Sequence, residues 1–263
     1  GAIVSSIWFA FNCTIYVAST YQPSICYLFS AEAAKKNEDG TQKTLKGKFK
    51  AKIAPGENTA AEAELERQIT KEDFVKMEVL GQFNLGFIIA RLRNDLFIID
   101  QHATDEIYNF ETLQTTTKLQ SQPMVVPKLL ELTAPQESIL LDELPIFEKN
   151  GFRFTVDQSE GAMIGRRVRL SAVPNSKNTV FGVSDVEEMI HTLSDTPGVL
   201  CRPTKVRKMF AMRACRKSIM IGTALKKRKM KEMLVHMGEI NLPWNCPHGR
   251  PTMRHLHTLT EDS

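Results

Sequence analysis

The chain of 263 residues is 42% apolar and 24% charged, with a net charge of +4 and a pI near 8.7. These are the proportions of a soluble globular protein with one sizeable core or two small ones. The mild basicity excludes an argument for nucleic acid from charge alone. Five cysteines, at positions 13, 26, 201, 215 and 246, exclude a compact disulfide framework. In chain order, the run GAIVSSIWFAFNCTIYVAST comes first and carries no charge over twenty residues. It is long enough to span a bilayer. Asn12, the serines and threonines and the lack of a basic flank fit neither a signal peptide nor a strong anchor. Residues 1–31 are therefore read as an apolar leader foreign to the rest, with a membrane segment as the alternative. No initiator methionine precedes it, as in a fragment or a processed product. Residues 32–58 open on EAAKKNEDGTQKTLKGK and read as a charged, flexible linker.

A helix is expected over 59–77, with acidic residues in its early turns. EVLGQFNLGFIIARL and LFIID are β-rich runs separated by the turn signal Arg93-Asn94-Asp95. The segment 79–100 has no clean apolar/polar alternation, so both faces of its sheet should be covered. A helix then runs from Asp100 to about Lys118. Further on we expect a strand near 128–132, a helix over 135–150 kinked by Pro145 and capped by Gly151, and strands at 152–156 and 166–173. A helix over 185–194 follows, with Ser184 and Glu187 as a capping box. Pro203 starts a helix to about Met220 that displays Cys215, and a last helix spans 226–238. The KKRK run at 226–229 reads as a solvated helix start or a sorting signal. The fold class is α/β of the α+β kind.

The stretch DQHATDEIYNFE, Asp100 to Glu111, carries the most chemistry. On its helix His102 and Glu106 share one face and lie about 6 Å apart along the axis. An imidazole and a carboxylate together suit a divalent metal; the plain alternative is a solvated polar helix face. Two later segments add donors. RACRKS carries Cys215, and WNCPHGRPT carries Cys246 and His248 in a turn stiffened by proline. His102, Glu106, Cys215, Cys246 and His248 make a mixed nitrogen, oxygen and sulfur set suited to zinc-like ions. They come from three remote segments, which is not the local spacing of a zinc finger. Arg213, Arg216 and Arg250 are candidates for gripping phosphate, or equally for pairing with nearby carboxylates. A Cys–His hydrolase is disfavoured, because no oxyanion-hole turn accompanies the cysteines.

The three segments resemble the motifs DQHAxxExxxxE, ACR and CPHGRP of the endonuclease-type MutL family, complete and in order. From about Phe49 to about His255 the sequence is similar to the C-terminal domain of the eukaryotic PMS-type MutL homologue, the nicking subunit of a mismatch-repair heterodimer. That resemblance implies a metal-dependent endonuclease that nicks one strand of duplex DNA, with Asp100 and Glu106 catalytic. The metal ligands it implies are His102, Glu106, Cys215, Cys246 and His248, with Zn2+ and/or Mn2+ as the ions. Glu111 lies off the Glu106 face by about 140° and, with Arg216 and Arg250, would support the site from behind. ATP would enter only through an N-terminal ATPase domain that lies outside this sequence. The segment QPMVVP resembles a short sliding-clamp-binding motif, in which Gln122, Met124, Val125 and Pro127 would engage the clamp; the alternative is an ordinary edge strand. Partners would be a MutL-homologue subunit, the sliding clamp, mismatched double-stranded DNA and, indirectly, MutS-type complexes, all in the nucleus. The family's architecture implies a discontinuous dimerisation and active-site subdomain, 59–121 with 202–263, and an inserted regulatory subdomain at 122–201. Some members keep the dimer fold without the nuclease motif, so a zinc-stabilised scaffold without hydrolysis is the alternative.

Overall fold

The computed structural model describes residues 58–259 apart from residue 160. The leader at 1–31 and all but the last residue of the linker lie outside those residues, and Asn58 opens the first helix. Among the described residues, no helix is long and apolar enough to cross a membrane. The fold is α+β, with two antiparallel sheets and helices. It divides into two compact units: one holds the residues up to Thr104 and those from Ile219 onward, the other Asp105–Ser218. The second unit is wider than the 122–201 insertion expected from the sequence.

In the first unit, the single helix expected over 59–77 is two helices, α1 Asn58–Gln68 and α2 Lys71–Lys76. The break has a local cause. Thr70 donates both its backbone N–H and its hydroxyl to Asp73 Oδ2, at 3.1 and 3.2 Å. That restarts the helix with a fresh cap. Strands β1 Glu78–Phe83, β2 Phe87–Leu92 and β3 Asp95–Asp100 then form an antiparallel meander. The long run read as one strand from the sequence turns back at Asn84 and Leu85, whose φ angles are 49° and 48°. Gly86 N–H donates to the Phe83 carbonyl at 3.2 Å and closes this turn. Two successive positive φ values match the twist of a two-residue hairpin, but an apolar Leu85 at the second gives no turn signal.

A strand absent from the sequence reading, β7 Met253–Thr258, pairs with β3 and completes the order β1-β2-β3-β7. One sheet face (Val79, Ile88, Ala90, Phe97, Ile99, Met253) packs into a core with Leu65, Phe74 and Trp244. Helix α8, Lys227–Glu239, closes that core with Met230, Met233, Leu234 and Met237, the spacing of one helix face. Gly238 permits the approach: a Cβ there would come 2.7 Å from the Lys71 carbonyl oxygen. Lys231 Nζ caps the end of α2 by donating to the Val75 and Met77 carbonyls. The opposite sheet face is also apolar. Phe87 and Ile98 are buried there among half-buried Phe83, Ile89 and Leu256.

In the second unit, α3, which begins at Gln101, runs to Thr116, and the sheet has the order β4-β6-β5. The strands are β4 Ser121–Leu129, β5 Arg153–Val156 and β6 Val168–Pro174. The helix expected over 135–150 is divided into α4 Ala134–Asp142 and α5 Leu144–Lys149. Pro145, which lacks an N–H and clashes with the preceding turn, breaks it outright instead of kinking it. Gly151, at φ 85°, ends α5 as expected, and Phe152 N–H donates back to the Phe147 carbonyl at 3.0 Å. Helix α6, Val183–Asp195, starts earlier than expected. Its cap is Asp185, which accepts the Gly182 N–H at 2.9 Å, not the pair Ser184 and Glu187. Helix α7 is Thr204–Lys217. Before it, buried Arg202 donates to the Gln114, Thr117 and Lys149 carbonyls and to Asn150 Oδ1. It thereby ties the C-terminal ends of α3 and α5 to the start of α7.

Candidate metal centre

The strand-to-helix junction carries the first motif. Asp100 ends β3, where its N–H donates to the Thr252 carbonyl at 2.8 Å. Its Oδ1 accepts the Ala103 N–H at 2.8 Å, so its side chain caps α3. Asp100 is only 2% exposed. Burial pushes its carboxyl above the usual range, against the opposing pull of the Ala103 N–H, the neighbouring His102 imidazole and the Arg250 charge. This aspartate is thus partly occupied in holding the helix, a role the sequence reading noted only as the end of a strand. Among the described residues it joins no group of mutually close metal-ligand atoms, and neither does Glu111.

His102 lies buried in the first turn of α3. Its Nδ1 is 2.9 Å from the Ile219 carbonyl oxygen. A carbonyl only accepts, so Nδ1 carries a proton, and in the neutral ring the lone pair is then on Nε2. A backbone carbonyl orients metal-binding histidines in the same way. One turn further along α3, Glu106 is 1% exposed.

Cys215, half-buried near the end of α7, has its Sγ within 4.8 Å of a Glu106 carboxylate oxygen. Asn109, three residues beyond Glu106, donates to the buried Ser218 hydroxyl at 3.1 Å, and Ser218 donates to the Ala214 carbonyl at 2.6 Å. That chain of bonds fixes α3 against the end of α7 beside the Glu106–Cys215 pair. Helix α7 stops at Lys217, three residues short of the expected Met220. The stop leaves the Ile219 carbonyl outside any helix, where it meets His102.

Cys246 and His248 come from a tight hairpin. Gly249 N–H donates to the Cys246 carbonyl at 2.9 Å, and Cys246 N–H donates to the Arg250 carbonyl at 2.8 Å. Gly249 sits at φ 80°, and Asn245 bridges Pro251. This is a turn followed by a left-handed glycine bulge, and it sets ligand atoms of Cys246 and His248 within 4.8 Å of each other. Cys246 is buried and His248 exposed. The hairpin runs into β7, whose Met253 pairs with Ile99 of β3. The same strand pair therefore holds both Asp100 and the Cys-Pro-His turn at one end of the first sheet.

The remaining candidates spread more widely. Glu111 is half-buried. Arg213 and Arg216 are exposed on α7, and exposed Arg250 is near enough to Asp100 to act on its charge. Gln122 to Pro127 lies on β4, an edge of the second sheet. Pro123 pairs with Ala172 and Lys128 with Leu170, so residues 124–127 bulge opposite Ser171 alone. Gln122, Val125 and Pro127 are exposed and Met124 is half-buried. Sequence reasoning missed the supporting groups: Gln101, Asn109, Ser218 and the Ile219 carbonyl. Only Gln101 had a signal, as a specified letter of DQHAxxExxxxE, where Asn109 falls on an unspecified one.

The donor set of imidazole, carboxylate and thiol fits zinc, and the buried carboxylate of Glu106 also suits a harder ion. Residues 80–225 match the family described as MutL C terminal dimerisation domain. The chain is 60% identical over 212 residues to Mismatch repair endonuclease PMS2 of Gallus gallus, covering 81% of this chain and 24% of that protein. It is 58% identical over 212 residues to the Homo sapiens protein of the same name, with the same coverage of both chains. It is 50% identical over 200 residues to DNA mismatch repair protein PMS1 of Saccharomyces cerevisiae, covering 73% of this chain and 23% of that protein. The chain thus spans about a quarter of the length of these relatives.

Proposed function

The chain belongs to the MutL C-terminal dimerisation domain family, in its eukaryotic PMS-type branch, and from that premise we propose that it is a metal-dependent endonuclease domain of mismatch repair. It would nick one strand of duplex DNA by hydrolysing a phosphodiester. Its ligands would be His102, Glu106, Cys215, Cys246 and His248. One observation carries this reading. His102 donates its Nδ1–H to the Ile219 carbonyl, which in the neutral ring leaves the Nε2 lone pair to a ligand, and buried Glu106 follows one turn along α3. Two relatives that bear the name endonuclease support it.

Bound divalent ions would neutralise charge on the phosphate and lower the pKa of the attacking water. The protein's own part is positioning. Asp100 keeps a carboxylate at the mouth of α3 while its cap holds the helix start. Arg250 presents an exposed guanidinium near Asp100, suited to bidentate contact with a phosphate. Nothing on this site reads base edges, so the place of the nick would be set by partners. A MutL-homologue subunit would cover the half-buried Phe83, Ile89 and Leu256 on the second face of the first sheet. The sliding clamp would take the exposed bulge at Gln122 to Pro127.

Nicking of supercoiled plasmid by the full chain, with and without Mn2+, tests the reading when zinc content is measured alongside. Zinc bound at the ligand set and a manganese-dependent nick support it. Bound zinc with no nicking under any metal, even with the partner subunit present, would leave a dimerisation scaffold in which zinc only stabilises the fold.

A further inference from the structure

Gln101, between the aspartate and the histidine of the first motif, has no exposed surface at all. Its side-chain amide is bonded at both ends. Nε2 donates to the Leu85 carbonyl at 2.9 Å and to the Met220 carbonyl at 3.1 Å, with the Thr223 carbonyl further off at 3.4 Å. Oε1 accepts from Gln82 Nε2 at 2.7 Å. Three surrounding carbonyls fix which end is nitrogen, because the reverse orientation would set oxygen against oxygen. Gln82 extends the network: its Nε2 also donates to the Thr223 carbonyl, and its Oε1 accepts the Leu225 N–H at 2.9 Å.

This network holds one short irregular segment, residues 219–225, against the β1–β2 turn. Gly222 N–H donates to the Leu85 carbonyl at 2.8 Å, and Gln101 N–H donates to the Gly86 carbonyl at 3.0 Å. The same segment supplies the Ile219 carbonyl to His102. Gln101 grips the carbonyl of Met220, the very next residue. The amide is the second donor on each carbonyl, because Leu85 also accepts the Gly222 N–H at 2.8 Å and Met220 the Thr223 N–H at 3.2 Å, so losing it loosens the segment without orphaning a carbonyl. An apolar side chain of the same size would fill the space and leave the segment held only by Gln82 and the Gly222 N–H.

We propose that Gln101 is a positioning residue for the metal centre: its buried amide locks residues 219–223 so that the Ile219 carbonyl holds His102 with the proton on Nδ1 and the lone pair on Nε2. This rests on the metal-centre reading. Gln101 itself touches neither metal nor substrate. It acts through the carbonyl that orients the ligand, and removing such a support typically weakens metal affinity about 10- to 100-fold.

The test uses the full chain, with Gln101→Met as the volume-preserving variant and Gln82→Met as a milder one at the half-buried outer end of the network. Zinc affinity is measured by competition with a chelator. The His102 tautomer is read from its imidazole nitrogen shifts in the metal-free protein, a readout that general loss of stability would not move. Gln101→Met should lower zinc affinity at least 10-fold and convert His102 from the Nδ1–H form to a mixture of tautomers, while circular dichroism stays native. Gln82→Met should shift both in the same direction by a smaller factor, and it decides the matter if Gln101→Met does not fold. Wild-type affinity and an unchanged tautomer in the folded variants would overturn the proposal. His102→Ala separates the two levels: if it binds zinc like wild type, the metal-centre reading itself fails, and the proposal with it.

Discussion

The end of β3 and the bulge of β4 treat their polar and apolar groups in opposite ways. At the end of β3, Asp100, Gln101 and His102 are buried in sequence, and each has a side-chain partner on the backbone. At the bulge, residues 124–127 leave the sheet register, and Val125 and Val126 face solvent. A site for chemistry has to be held rigid before its substrate arrives. A site for a partner can leave apolar surface exposed, because the partner supplies its cover. Under the proposed function, chemistry would fall to the strand end of β3 and recruitment to the β4 bulge.

The largest expected effect lies at the buried carboxylate. Glu106→Gln keeps the volume and removes the charge, and should lower nicking at least about 100-fold, in line with several kcal/mol of charge stabilisation. Circular dichroism should be unchanged. A fold that collapses would mean that Glu106 is structural, and the comparison would lose its catalytic half.

Asp100 sharpens it by separating two roles in one side chain. Asparagine caps a helix about as well as aspartate, while alanine costs about 1 kcal/mol. Both Asp100→Asn and Asp100→Ala should lose nicking, but only alanine should lower Tm. The sign for asparagine runs the other way. Burial raises the folded carboxyl above its ordinary value, so the charged form is penalised in the folded state at neutral pH. Removing that charge should hold Tm steady or raise it. Wild-type nicking by Asp100→Asn would take the aspartate out of the mechanism.

At the bulge, Gln122→Ala with Met124→Ala should reduce clamp-stimulated nicking and spare the basal manganese-driven reaction. The measurement is both rates on one plasmid substrate. Equal loss of both would make the bulge structural and erase the contrast.

The smallest effect is a control on the first unit, away from its chemistry. Burial pushes Asp73 up, but the Thr70 N–H and hydroxyl, with Arg93 and Lys76, hold it below its ordinary value. A depressed folded pKa adds stability above the unfolded pKa of about 3.9, lost as pH falls through the folded value. Asp73→Asn should therefore lower Tm at pH 7 by more than at pH 3. An equal loss at both would remove the charge from that argument.

Much of this was legible in residues that act locally. The turn at Arg93, the helix after Asp100 and the end at Gly151 each follow from a side chain's effect on its own backbone, and Pro145 marked the place of a break read only as a kink. The two-strand reading of 78–100 failed at Leu85, because only the fold forces an apolar residue to a positive φ. Strand β7 was invisible for a different reason. MRHLHT has a single aliphatic pair among cations and imidazoles, and its strand character comes from pairing with β3, more than 150 residues away. At the site, the motif residues were visible as types, but not the carbonyl of Ile219 that orients His102. A backbone oxygen leaves no mark in a sequence.

The central claim is that thiolate, imidazole and carboxylate from this chain hold zinc. X-ray absorption at the zinc edge of the purified full chain reads the ligand shell directly. The account predicts sulfur at about 2.3 Å together with nitrogen or oxygen at about 2.0–2.1 Å, with the sulfur signal reduced in Cys215→Ser and in Cys246→Ser. A shell of nitrogen and oxygen alone, or no bound zinc after metal reconstitution, would contradict it.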